Sequence, residues 1–99
     1  MNLKSLNPNK VYADITELLY NYVVTRDNGI CQICGGKGEH LHHIKFKGGG
    51  GKNMANNLIL LCQKCHTGTY GIHGISKNMC NLLLKQLKVN EKRMRDKFI

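Results

Sequence analysis

The sequence predicts a small α+β domain in which a long antiparallel hairpin and a helix are drawn together by zinc, with one further helix before and one after. Three observations carry this expectation. Two Cys-x-x-Cys pairs, Cys31/Cys34 and Cys62/Cys65, offer four thiolates to one tetrahedral ion. Between them stand HLHHIKF (40–46) and the apolar run 58–61, an outgoing and a returning strand. Finally, a chain of 99 residues buries only about 60–70% of its extended-chain surface, so a metal clasp is a usual remedy for its marginal core.

Each element has a local cause. Residues 1–13 are polar, hold the only proline and read as a flexible N-terminal arm. Asp14 can cap a helix, with Glu17 completing a capping box. Ile15, Leu18, Leu19, Tyr22 and Val23 then make one apolar stripe at helical spacing. Asn28-Gly29 ends that helix, since glycine tolerates a left-handed exit. Gly35, Gly36 and Gly38 make a turn after the first Cys pair. Gly48 to Gly51, flanked by Lys47 and Lys52, form a loop, because glycine is costly in either regular element. A short helix opens at the second Cys pair and is limited by Gly68, Gly71 and Gly74. Ser76 caps a last helix with Met79, Leu83, Leu87 and Met94 on its apolar side. The organisation is thus an arm (1–13), a core (14–75) and a basic helix packed on it (76–99). Cys80, near the start of that helix, reads as a small buried hydrophobe.

Charge separates these parts. The formal net charge is +9, and residues 1–30 contribute none of it. Lys37, Lys45, Lys47, Lys52 and Lys64 face only Glu39 in the central part, and the last helix is richer still in Lys and Arg. That excess favours a polyanion, with phosphate backbone the first candidate. An odd cysteine count with four in C-x-x-C pairs reads as metal ligation in a reducing compartment, not as a disulfide framework. With no leader pattern and no long apolar run, an intracellular, cytoplasmic protein without a membrane partner is expected.

Four thiolates leave zinc no open position, so that ion is expected to be structural. His42 and His43 are neighbours on a strand and point to opposite faces, so they cannot share one job. One can ligate a metal while the other faces a water; His40, on the side of His42, is either a further ligand or exposed. Neutral imidazole suits both roles, its unperturbed pKa being about 6.5. Glu39 is the only carboxylate between Asp27 and Glu91. That scarcity argues against a two-metal carboxylate centre and for one ion held by imidazoles, which can be softer than magnesium.

In order, Cys31-x-x-Cys34, Leu41-His42-His43-Ile44 and Asn57-Leu58-Ile59-Leu60-Leu61-Cys62-x-x-Cys65-His66 resemble the HNH endonuclease family in its Cys-clasped, ββα-metal form. Arg26-Asp27-Asn28-Gly29-Ile30-Cys31 is similar to the family's lead-in, and residues 65–74 look like small phage-associated members. The resemblance implies the ββα-metal fold and a metal-dependent DNA endonuclease leaving 5′-phosphate and 3′-hydroxyl ends. It implies that His43 is the general base and that Asn57 is a ligand or fixes the loop orienting that base. His42 and His66 match ligands of one catalytic divalent metal: Mg²⁺, Mn²⁺, Ni²⁺ or Zn²⁺. Where several members place a further ligand, this chain has Tyr70, and His73 is the remaining candidate. Lys45, Lys47 and Lys52 would position phosphates, as could Lys85, Lys88, Lys92, Arg93, Arg95 and Lys97 on the last helix. A bacterial or phage origin fits the pattern, and a homodimer or a larger phage or restriction complex stays open. The rival readings are a non-catalytic zinc module that binds nucleic acid and an interaction subunit of such a complex.

Overall fold

A computed structural model describes residues 6–45, 52–67 and 78–97. In chain order the elements are α1 (Glu17–Arg26), β1 (His40–His43), a 3-10 turn (Ala55–Asn57), β2 (Leu58–Leu61), α2 (Gln63–Thr67) and α3 (Asn78–Lys97). The two strands pair antiparallel, His40 opposite Leu61 through His43 opposite Leu58. The chain is a small α+β protein built on a ββα unit, β1–β2–α2, with helices on either side in sequence.

Helix α1 begins later than the sequence suggests. Its N-cap is Thr16, whose side chain accepts the Leu19 N–H at 3.1 Å, and Asp14 is exposed. The cause lies just upstream: Tyr12 pairs with Asn53 as an isolated β-bridge, and the Ala13 carbonyl accepts from the Asn53 side chain. A chain held extended there cannot turn into helix at once, and Ile15, left outside the helix, is exposed. The exit is as expected, with Asn28 and Gly29 both left-handed at φ 58° and 71°. Residues 6–13, the described part of the arm, lie along the 53–56 segment, with Leu6 buried in the core and the Pro8 carbonyl accepting from Asn56 N–H.

Strand β2 explains why its sequence does not alternate. Leu58 packs with Leu19, Tyr22, Val23, Ala55 and Met94 on the α1 side. Ile59 and Leu61 pack with Cys31, Ile44, Leu83 and Leu87 on the opposite side. A strand covered on both faces has no polar side to show. Strand β1 is shorter than expected, four residues, and ends at His43. Gly38 sits so close to β2 that a Cβ there would overlap the Leu60 side chain.

A buried polar network joins these layers. The Arg26 guanidinium uses all five of its donors: on both Asp27 carboxylate oxygens, on Glu91 at 3.0 Å, and on the Ala55 and Leu58 carbonyls. Asp27 in turn accepts from Leu60 N–H and from Asn90 of α3, each at 2.9 Å. Tyr22 donates to Glu91 at 2.7 Å, and its phenol is pushed above the usual tyrosine range by burial and then by that carboxylate. The outer edge of β2 is thereby filled by non-strand groups. Leu58 N–H donates to the Ala55 carbonyl, the Leu58 carbonyl accepts from Arg26, Leu60 N–H donates to Asp27, and the Leu60 carbonyl accepts from Gln32 N–H. Arg26→Ala is expected to cost about 3–5 kcal/mol, because Asp27 and Glu91 would stay buried without their partner. Urea unfolding of the zinc-loaded variant checks this.

Candidate functional site

Both Cys pairs sit where the backbone can feed N–H groups to sulfur. Ile33 and Cys34 N–H donate to Cys31 Sγ, Gly36 N–H to Cys34 Sγ, and Cys65 N–H to Cys62 Sγ, at 3.4–3.5 Å. Gly35, at φ 78°, makes the tight turn the first pair needs. The second pair is delivered by the end of β2 and the start of α2. All four thiols are free, and their sulfurs lie within 4.8 Å of one another. The four cysteines can therefore hold a metal ion such as zinc. A tetrahedron with Zn–S of about 2.3 Å has edges near 3.8 Å, and Cys34 and Cys62 sulfurs are 3.6 Å apart.

The four sulfurs also influence one another's ionisation. Burial opposes ionisation of Cys31, but the N–H donors outweigh it and bring the thiol down to about 7. Cys34 is raised by its neighbours Cys62 and Cys31 against the pull of the Gly36 N–H, and Cys65 is raised by burial and by the other three thiols. A positive ion at the centre would favour the thiolate form of all four.

The histidines divide between the faces of β1. His40 and His42 share the side of Ile59 and Leu61, and His43 takes the other. Helix α2 brings His66 to the first side. Its ring lies 5.3 Å from that of His42, edge to face, and 5.4 Å from that of His40, stacked. His42 is fully buried and His66 half-buried. Two imidazoles on one ion, at about 2.1 Å per nitrogen, put ring centroids on the order of 5 Å apart, a spacing close to that of His42 and His66. Among the described residues, the cysteines are nonetheless the group of three or more metal-ligating side chains with converging donor atoms.

His43, half-buried, has its Nε2 2.7 Å from Asn53 Oδ1. Asn57 is buried and its amide bonds to the backbone of both Lys45 and Lys52. Its Oδ1 accepts from Lys45 N–H at 2.8 Å, and its Nδ2 donates to the Lys45 and Lys52 carbonyls at 3.0 and 3.1 Å. Lys45 and Lys52 are both exposed. Lys47, His73, Tyr70, Ser76 and the glycines 48–51 lie outside the described residues, as does the side chain of Cys80. On α3, Lys85, Lys88, Lys92, Arg93 and Arg95 are exposed, Arg93 also donating to the Arg26 carbonyl at 2.8 Å, and the side chain of Lys97 lies outside the described residues.

The family model of the HNH endonucleases matches residues 31–70, the span holding both Cys pairs, His42, His43, Asn57 and His66. Residues 31–70 thus match an HNH endonuclease domain. The expectation raised by the motif order is met, and the HNH domain implies nuclease-type function on a nucleic-acid substrate. No curated protein matches the chain. No helix among the described residues is long and apolar enough to cross a membrane.

The HNH domain includes one residue that sequence reasoning passed over. Asn53 is buried and touches His43, yet in the sequence it is one of three asparagines in 53–57 with nothing to distinguish it. Asn57 stood out only because it aligned with a motif. Physical reasoning could have asked which group would face the second histidine, and any acceptor near the return of the hairpin would have been an answer.

Proposed function

We propose that this protein is a metal-dependent DNA endonuclease in which His43 is the general base. The observation that carries the reading is the division of labour on β1: His42 meets His66 on one face, while His43, on the other, is held by a fixed acceptor. A base must be neutral and steady beside the metal ligand without binding the metal itself, and strand alternation provides that separation.

In this reading His42 and His66 hold the catalytic divalent ion, with His73 the further candidate. Bound there, the ion would supply Lewis-acid stabilisation of charge developing on the scissile phosphate. His43 takes a proton from the attacking water. The water oxygen bonds to phosphorus as the bond to the 3′ oxygen breaks, and the departing 3′ oxygen takes a proton from solvent water, leaving a 5′-phosphate and a 3′-hydroxyl. Asn57 keeps Lys45 and Lys52 together, so that these two lysines meet the phosphate backbone as one surface, with Lys47 the further candidate. Such contacts give affinity and register but carry no base sequence. The four-cysteine ion, proposed to be zinc, has no open position and serves the fold.

The test is cleavage of supercoiled plasmid by zinc-loaded protein in Mg²⁺, Mn²⁺ or Ni²⁺. Nicked or linear product whose ends a DNA ligase reseals is the expected result, since ligation needs a 5′-phosphate beside a 3′-hydroxyl. Intact plasmid under all three ions, with the protein still bound at low salt, would replace the nuclease with a binding module.

A further inference from the structure

We infer that Asn53 is a positioning residue for His43, and that the N-terminal segment, through the Ala13 carbonyl, sets which nitrogen of the His43 ring is free to accept a proton. The inference rests on the reading of His43 as the base. It begins with an atom that has no choice. A backbone carbonyl can only accept, so the Asn53 amide atom 2.9 Å from Ala13 O must be the nitrogen. The other end of the amide, 2.7 Å from His43 Nε2, is therefore the oxygen. An amide oxygen can only accept, so neutral His43 carries its proton on Nε2. Nδ1 is left with the lone pair, and Nδ1 is the basic nitrogen.

Asn53 itself cannot swing away. Its carbonyl accepts from Tyr12 N–H at 2.9 Å, so main chain and side chain are both gripped by consecutive residues of the N-terminal segment. That segment is anchored by Leu6 in the core and by the Pro8 carbonyl on Asn56 N–H. The line runs from the N-terminal segment to Asn53 to the ring, and it orients the imidazole as well as fixing its tautomer. A ring free to turn about its Cβ–Cγ bond would lose the alignment a base needs, and small misplacements of that kind can lower a rate about 10²-fold.

The experiment pairs an NMR reading with cleavage, in zinc-loaded protein, for wild type, Asn53→Ala, Asn53→Asp and His43→Ala. Wild type should show a slowly exchanging His43 proton on Nε2 that Asn53→Ala removes. Asn53→Ala should cut about 10²-fold more slowly, the fall lying in kcat and not in KM, with zinc content and cooperative melting retained. Asn53→Asp keeps an acceptor at Nε2 and should recover part of that rate. A His43 proton on Nδ1, or an Nε2 signal unchanged in Asn53→Ala, overturns the inference. So does Asn53→Ala cutting at the wild-type rate while His43→Ala does not cut. If no form cuts, the nuclease reading fails, and the NMR result alone decides the role of Asn53.

Discussion

His43→Ala is expected to lower the rate of plasmid cleavage by about 10²–10⁴-fold, the range a positioned general base contributes. The fold should tolerate the change. His43 is half-buried and its side chain makes one described hydrogen bond, to Asn53, so about 1 kcal/mol of stability is at stake. His42→Ala should fail differently. It removes a proposed metal ligand, so higher Mn²⁺ or Ni²⁺ should recover some of its activity, whereas no metal concentration should rescue His43→Ala. The measurement is a rate against metal concentration for both variants, with melting curves beside it. Equal cutting by wild type and His43→Ala would assign the base elsewhere.

Removal of zinc should have the largest effect on the protein as a whole. Structural zinc sites bind with an apparent free energy of about 10–16 kcal/mol, which matches or exceeds the roughly 5–15 kcal/mol net stability of an ordinary domain. Cys31, Cys62 and Cys65 also belong to the packed cluster on the Ile59 side of the hairpin, so losing the ion loosens a core as well as a turn. Chelation is expected to abolish cooperative melting and most of the near-UV signal, with one zinc released per chain. Because binding requires thiolates, it releases protons, and the zinc should come away more readily as pH falls. A metal-free chain that kept its melting transition would show that the clasp is dispensable.

Much of this was legible in the sequence because it depends on short-range or compositional signals. Paired cysteines two residues apart, Asn28-Gly29 at a helix end and the run 58–61 report their own geometry. The motif order was legible through its spacing, and His42 and His43 on opposite faces followed from strand alternation alone. What could not be read depends on partners far along the chain. Asn90 and Glu91 look like the polar side of a Lys-rich helix, yet both are buried against Arg26, Asp27 and Tyr22, more than sixty residues earlier. The cap at Thr16 in place of Asp14 depends on Tyr12 and Ala13 being engaged by Asn53. Both lie in tertiary contacts that local propensity does not encode.

The filled outer edge of β2 has a consequence for how this chain avoids sticking to itself. Leu58-Ile59-Leu60-Leu61 is an uncharged, β-prone run of the kind that templates intermolecular strand pairing when its backbone is open. Natural sheets protect such edges with charged residues, bulges or covering segments. Here Arg26 and Asp27, from the end of a helix, together with Gln32 N–H and the Ala55 carbonyl, meet every backbone group that a third strand would seek. The same pair that ties the layers together acts as a gatekeeper against aggregation. Its absence would leave a hairpin able to recruit another copy of itself before the domain could close.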